Sequence, residues 1–177
     1  MRMPAFDAVL LLSFGGPERS EDVMPFLRRV TAGRGIPDDR LTAVAAQYEA
    51  FGGKSPINDQ NKELVRLLEE TLNSGVERDD PRFLPVYWGN RNWDPLLPDT
   101  LRQMRADGIG RAAVVITSGY SSYSGCRQYR ENLYDAVAEL AADGQGAPPE
   151  LSKIRRWFDQ PAFIDVMTDN VLPAIDY

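Results

Sequence analysis

The 177-residue chain contains no histidine. That absence removes the side chain most often used as a general base near neutral pH, and with it the commonest transition-metal ligand. Cysteine is almost missing as well: a single residue, Cys126, excludes an internal disulfide and any cysteine-rich zinc site built from this chain alone. Chemistry is therefore left to carboxylates, tyrosines, the one thiol, or residues supplied by another chain. Long apolar runs are also absent. No stretch approaches the roughly 18 residues of a membrane-spanning helix. The apolar run near the N-terminus is ended by Gly15-Gly16-Pro17 too soon for a secretory signal, so the expected location is the cytoplasm. Nor is there a surplus of positive charge. With 20 basic against 26 acidic residues the net charge is −6, and the scattered Lys and Arg form no footprint for nucleic acid.

What remains is an ordinary globular composition, 43% hydrophobic and 26% charged, long enough for one domain with its own core; residues 1–177 read as a single α/β domain. The continuous apolar run from Ala8 to Phe14 predicts a central parallel strand covered on both faces. Ser20 with Glu21 and Asp22 opens a helix carrying Val23, Phe26, Leu27 and Val30, and Asp38-Asp39 opens a second through Leu41, Val44, Ala45 and Tyr48. An amphipathic helix is expected from about Gln60 to Leu72, then a strand over 83–89 despite Pro85, a helix over 95–107, and a strand over 112–116. A helix ending near Ala142, a Gly/Pro linker over 143–149, a short strand over 154–158 and a helix over 162–175 complete the chain. The pattern predicts a flavodoxin-like parallel sheet with helices on both faces.

The run Tyr120-Ser-Ser-Tyr-Ser-Gly-Cys-Arg-Gln-Tyr129 follows the strand at 112–116 and precedes a helix. In open α/β sheets ligands sit outside the carboxyl ends of the strands. An aromatic, hydroxyl-rich loop placed there suits a large flat ligand with polar edges better than a phosphate. Gly15-Gly16-Pro17 lacks the glycine spacing of a dinucleotide site and the Lys of a P-loop, so an ordinary strand-to-helix turn is the better reading. In Gly33-Arg34-Gly35, Arg34 reads as a solvated turn residue or as a guanidinium offered to a ligand carboxylate. Cys126 reads as a small buried hydrophobe, or as a thiol activated at a helix N-terminus. Glu69-Glu70 and Asp79-Asp80 read as solvated charge rather than an acid/base pair, and the tryptophans as core or edge aromatics.

Leu10-Leu-Leu-Ser-Phe-Gly-Gly-Pro17, Thr31-Ala-Gly-Arg-Gly-Ile-Pro37, Phe51-Gly-Gly-Lys-Ser-Pro-Ile-Asn58, Tyr87-Trp-Gly-Asn-Arg-Asn-Trp93 and the tyrosine run occur in the order in which the bacterial ferrochelatases carry them. Together they resemble that family, and within it the coproporphyrin ferrochelatases. The resemblance implies a role in heme biosynthesis: insertion of ferrous iron, a substrate rather than a resident cofactor, into coproporphyrin III held between two similar α/β domains. No cofactor is implied for this chain. The resemblance covers the first domain only. It places the metal-handling His and Glu in a second half, which implies a chain that is an N-terminal half, inactive alone, whose partners are the porphyrin, ferrous iron and a missing C-terminal half. It maps Ser55 and Tyr129 onto porphyrin-binding positions, and Phe14 onto a position where relatives carry an iron-contacting Tyr. Phe14 has no oxygen to offer the metal but can pack on the macrocycle, and Arg34 is the candidate partner for a propionate. Two rivals stand beside this reading: a non-catalytic porphyrin-binding or heme-pathway partner module, and a flavodoxin-like binder of another small molecule.

Overall fold

The structure, a computed structural model, describes residues 6–175, apart from the side chains of 124–126. Four strands form one sheet: β1 (Ala8–Ser13), β2 (Val86–Asn90), β3 (Arg111–Ile116) and β4 (Glu150–Lys153). They lie in the order β2-β1-β3-β4, and every pairing is parallel. Helices α1 (Ser20–Val30), α2 (Asp38–Glu49) and α3 (Ile57–Leu72) connect β1 to β2. Helix α4 (Leu97–Ala106) connects β2 to β3, α5 (Tyr129–Ala142) connects β3 to β4, and α6 (Pro161–Ile175) follows β4. The expected parallel α/β sheet is therefore the one observed.

Topology decides where the helices go. Parallel crossovers are right-handed. From β1 the chain steps to one side to reach β2, then doubles back across β1 to β3 and on to β4. The reversal sends α1–α3 to one face of the sheet and α4 and α5 to the other. Side chains alternate faces along a strand, so Ala8, Leu10 and Leu12 join Ala112, Val114 and Ile116 against Leu97, Leu101, Met104, Leu133, Ala136 and Leu140 in the main core. Val9, Leu11 and Ser13 face the opposite side and are also buried, which explains why β1 is apolar without interruption.

Three expectations are corrected. The last strand is Glu150–Lys153, not 154–158. Leu151 pairs with Ala112, whereas Arg156 and Trp157 turn back over the end of β3, the Trp157 Nε1–H donating to Ile116 O at 3.1 Å. Pro85 precedes β2 rather than lying in it, and contributes only its carbonyl, which accepts from Val9 N–H at 2.9 Å. The tyrosine run is not all loop: Tyr123–Gln128 is a π-helical turn that runs directly into α5.

Candidate functional site

The switch point of the sheet lies between the carboxyl ends of β1 and its neighbours, where the chain leaves in opposite directions. The exits of β1 and β2 are stitched together. Arg91 N–H donates to Ser13 O, and both the backbone N–H and the Nδ2–H of Asn92 donate to Phe14 O, each at 3.1 Å. On the β3 side, Thr117 N–H donates to Leu12 O at 3.1 Å and the Thr117 hydroxyl donates to the buried Ser13 Oγ at 3.3 Å. The two glycines after Phe14 make this closeness possible. A Cβ on Gly15 would lie 2.9 Å from Asn90 Cβ, and one on Gly16 would lie 2.7 Å from Ser55 Cβ. Ser55 N–H then donates to Pro17 O at 2.8 Å, and Asn58 Nδ2–H to Gly16 O at 3.0 Å, so the Ser55 loop is strapped to the β1 exit. This turn is filled by protein, consistent with its reading as a turn rather than a phosphate cradle.

Arg91 is the hub of the assembled cluster. Its guanidinium lies 4.6 Å from the Tyr129 ring centroid and 5.6 Å from that of Phe14, and its Nε–H donates to Asn132 Oδ1 at 2.6 Å. Phe14 is half-buried and meets Phe26 edge-on at 6.1 Å, in an aromatic group completed by Tyr48 and Trp93. Tyr129 is buried, and burial pushes its phenol pKa up, opposed by the charge and hydrogen bonds of Arg91 and by Thr117. Ser55 lies beyond Gly16 in an open, largely apolar hollow of about 330 Å³ that it shares with Gln47, Tyr48, Phe51, Lys54 and Pro56. Phe51 in this hollow is 85% exposed.

Of the four residues singled out from sequence, Phe14 and Tyr129 meet through Arg91, and Ser55 joins them through the Gly16–Pro17 turn. Arg34 is not brought to them. It lies exposed on the α1–α2 connection, and among the described residues no hydrogen bond or ring contact links its side chain to the other three. Tyr129 stands beneath Arg91 at the start of α5 rather than on an open loop. The Cys126 side chain lies outside the described residues. Sequence reasoning passed over Arg91, Asn132 and Thr117. Arg91 carried the available signal, a basic residue directly after the carboxyl end of a strand.

A larger charged cleft of about 550 Å³ lies beside α3, lined by Glu18, Arg19, Asp22, Lys62, Trp88 and Trp93. Four of its charges pair with one another, Lys62 Nζ lying 3.0 Å from Glu18 and Arg19 Nε 3.3 Å from Asp22, and Asp94 adds a further negative charge. It offers a flat acidic ligand less than the Arg91 cluster does.

The sequence profile of the family described as Ferrochelatase matches residues 6–176. This chain belongs to the ferrochelatase family. Among curated relatives of this ferrochelatase-family chain, it is 54% identical over 171 residues to the coproporphyrin III ferrochelatase of Frankia alni, covering 97% of the chain and 41% of the relative. It is 53% identical to the coproporphyrin III ferrochelatase of Streptomyces coelicolor, covering 96% and 44%, and 50% identical to the ferrochelatase of Rhodopirellula baltica, covering 97% and 46%. The chain thus spans less than half the length of these relatives.

Within the described part of this family member, no cluster of three or more Cys, Asp or Glu could hold a metal ion. No helix there is long and apolar enough to cross a membrane. All resolved carboxylate shifts are downward, because Arg, Lys, Tyr or backbone donors favour the ionised form: Glu18, Asp59, Glu63, Asp80, Asp107 and Asp143. None of these is a base poised near neutral pH.

Proposed function

We propose that this chain is the porphyrin-holding half of a coproporphyrin III ferrochelatase of heme biosynthesis, acting in the cytoplasm on ferrous iron as substrate and needing no cofactor of its own. The observation that carries the reading is the strand-end cluster. Phe14, Arg91 and Tyr129 gather a cation and two aromatic rings at the switch point, and the Ser55 hollow adds exposed apolar surface beside them. A tetrapyrrole with carboxylate side chains needs both kinds of surface. The names of the relatives support the same ligand.

Helix α6 supports a partner that supplies the other wall. It is held at one end by Phe163, whose ring lies 4.8 Å from Trp157 and 5.7 Å from Tyr120. Beyond that anchor no residue of α6 is buried, and Ile164, Met167, Val171 and Ile175 expose a stripe at helical spacing. A second polypeptide half, corresponding to the length of the relatives that this chain does not span, fits that stripe. It would also supply the proton-accepting group that this chain lacks. Removing pyrrole protons requires a base poised near the working pH. No histidine is present, and the resolved carboxylates are shifted away from that range.

Binding by this half should be weak, because one wall leaves the ring far short of the roughly 70–90% enclosure of small-molecule sites. Titrating the chain into coproporphyrin III should shift and sharpen the Soret band. A flavin or nucleotide that binds while the porphyrin spectrum stays unchanged would overturn the reading.

A further inference from the structure

Arg91 differs from most arginines of this chain in what it touches. Among the described residues its guanidinium makes no ion pair; it lies over two aromatic rings, and its Nε–H is fixed by one neutral acceptor, Asn132 Oδ1, at 2.6 Å. Its backbone is fixed as well, through the bond to Ser13 O at the end of β1. Asn132 is on the first turn of α5, the helix that Tyr129 begins, so ring and acceptor are set by one rigid element. With Arg29, Leu97, Asp135 and Glu139, the pair lines a cleft of about 190 Å³, and the Glu139 carboxylate is engaged by Arg102. The two rings and the Tyr129 phenol confine the guanidinium, and the Nε contact to Asn132 sets which of its edges stays outward. A planar fork held in this way pairs with a carboxylate through two donors at once.

We propose that Asn132 is a positioning residue, orienting the Arg91 guanidinium as a ready-made clamp for a carboxylate on the rim of a planar aromatic ligand. This deepens the porphyrin reading and rests on it, since coproporphyrin III presents its carboxylates on the rim. Asn132 touches no reacting atom. It acts by ordering Arg91 before the ligand arrives, so that the conformational freedom of a long side chain is not lost on binding.

The intact chain tests this in two ways. In proton–nitrogen spectra the Arg91 Nε–H should exchange slowly with water, and Asn132→Ala should make it exchange fast while the far-UV circular dichroism stays unchanged. In Soret titrations Asn132→Ala should bind coproporphyrin III about ten-fold more weakly. The tetramethyl ester, which has no ionised carboxylate, should bind wild type and variant alike. Asn132→Asp keeps the acceptor but adds a carboxylate that ion-pairs with the guanidinium in place of the ligand's, so it should restore slow exchange without restoring affinity for the acid. The proposal is overturned if the wild-type Nε–H exchanges freely, if Asn132→Ala binds the acid as tightly as wild type, or if it loses acid and ester equally. No Soret response of wild type to either porphyrin would overturn the porphyrin reading and the ligand named here. A slow Nε–H lost in Asn132→Ala would still support the positioning contact.

Discussion

Replacing Gly16 by Ala tests how tightly the site is assembled. Gly16 does not adopt a positive φ, so the added methyl brings no backbone strain and its effect is steric. The new Cβ would stand 2.7 Å from Ser55 Cβ and 2.8 Å from both Ser55 Oγ and Ile57 Cγ2, distances at which one of the partners must move. Overpacking of this kind costs about 1–3 kcal/mol. We expect about 2 kcal/mol, because the Ser55 loop cannot retreat freely while Ser55 N–H is bonded to Pro17 O and Asn58 to Gly16 O. Ser55→Gly removes two of the three clashing atoms. Alone it should cost about 1 kcal/mol, from greater freedom in the unfolded chain and loss of the hydroxyl. If the contact is as close as described, the double variant should be no less stable than Gly16→Ala alone. That corresponds to a favourable coupling of about 1 kcal/mol or more in a double-mutant cycle. Urea unfolding followed by tryptophan fluorescence reads all four proteins. Strict additivity, or a Gly16→Ala loss under about 0.5 kcal/mol, would refute the claim that this turn clamps the Ser55 loop. Gly33→Ala is the opposite case: its Cβ would meet nothing within 4 Å, so any cost there comes from the φ of +75° and not from a clash.

Burial raises the Tyr129 pKa above its value in the unfolded chain. The stability it contributes is therefore complete below about pH 10 and is lost as pH rises through the folded value, so Tyr129→Phe should flatten the alkaline limb of the stability–pH curve; an unchanged limb would contradict the burial. Asp143 is held to about 2 by the Arg105 guanidinium and the Gln145 N–H, so its contribution is present above the unfolded value and is lost as pH falls toward 2. Arg105→Ala should flatten the acid limb of the stability–pH curve, and an unchanged limb would assign that sensitivity elsewhere. Ile164→Lys and Val171→Lys on α6 should leave the unfolding midpoint of the isolated chain unchanged, because both side chains are already about half exposed, at 47% and 48%. Both should abolish capture of the separately expressed remainder of the Streptomyces coelicolor relative, and capture that survives would remove α6 from the interface. The chain alone should metallate coproporphyrin III no faster than the no-protein control, and iron insertion well above that control would mean that a proton acceptor has been overlooked.

The sequence carried the sheet better than the site, for a physical reason. A parallel strand covered on both faces must be apolar without interruption, so Ala8–Leu12 and Ala112–Ile116 announce themselves locally. Strand β4 does not. It lies at the sheet edge with Leu151 as its one apolar residue, and the more hydrophobic Ile154–Phe158 segment next to it drew the assignment away. Tyr129 was recognisable as a site residue by resemblance, but its burial was not, because nothing local in Tyr-Ser-Gly-Cys-Arg-Gln announces a π-helical turn. Arg91 had no periodic pattern to betray it. It becomes a hub through register: Ser13 pairs with Asn90, so the residue after β2 falls beside the end of β1, and the β3–α5 connection returns Tyr129 and Asn132 to the same point. Such a site depends on which strands are neighbours. Helix α6 is the converse case, where the sequence says more than this chain uses. Its apolar positions predicted a helix and a helix forms, yet isolated helices of about 12–15 residues are marginal without packing. This one has 15 residues, none of them buried. The stripe from Ile164 to Ile175 stays uncovered by the described residues, and it is the face on which the proposed second half is tested by the two Lys substitutions.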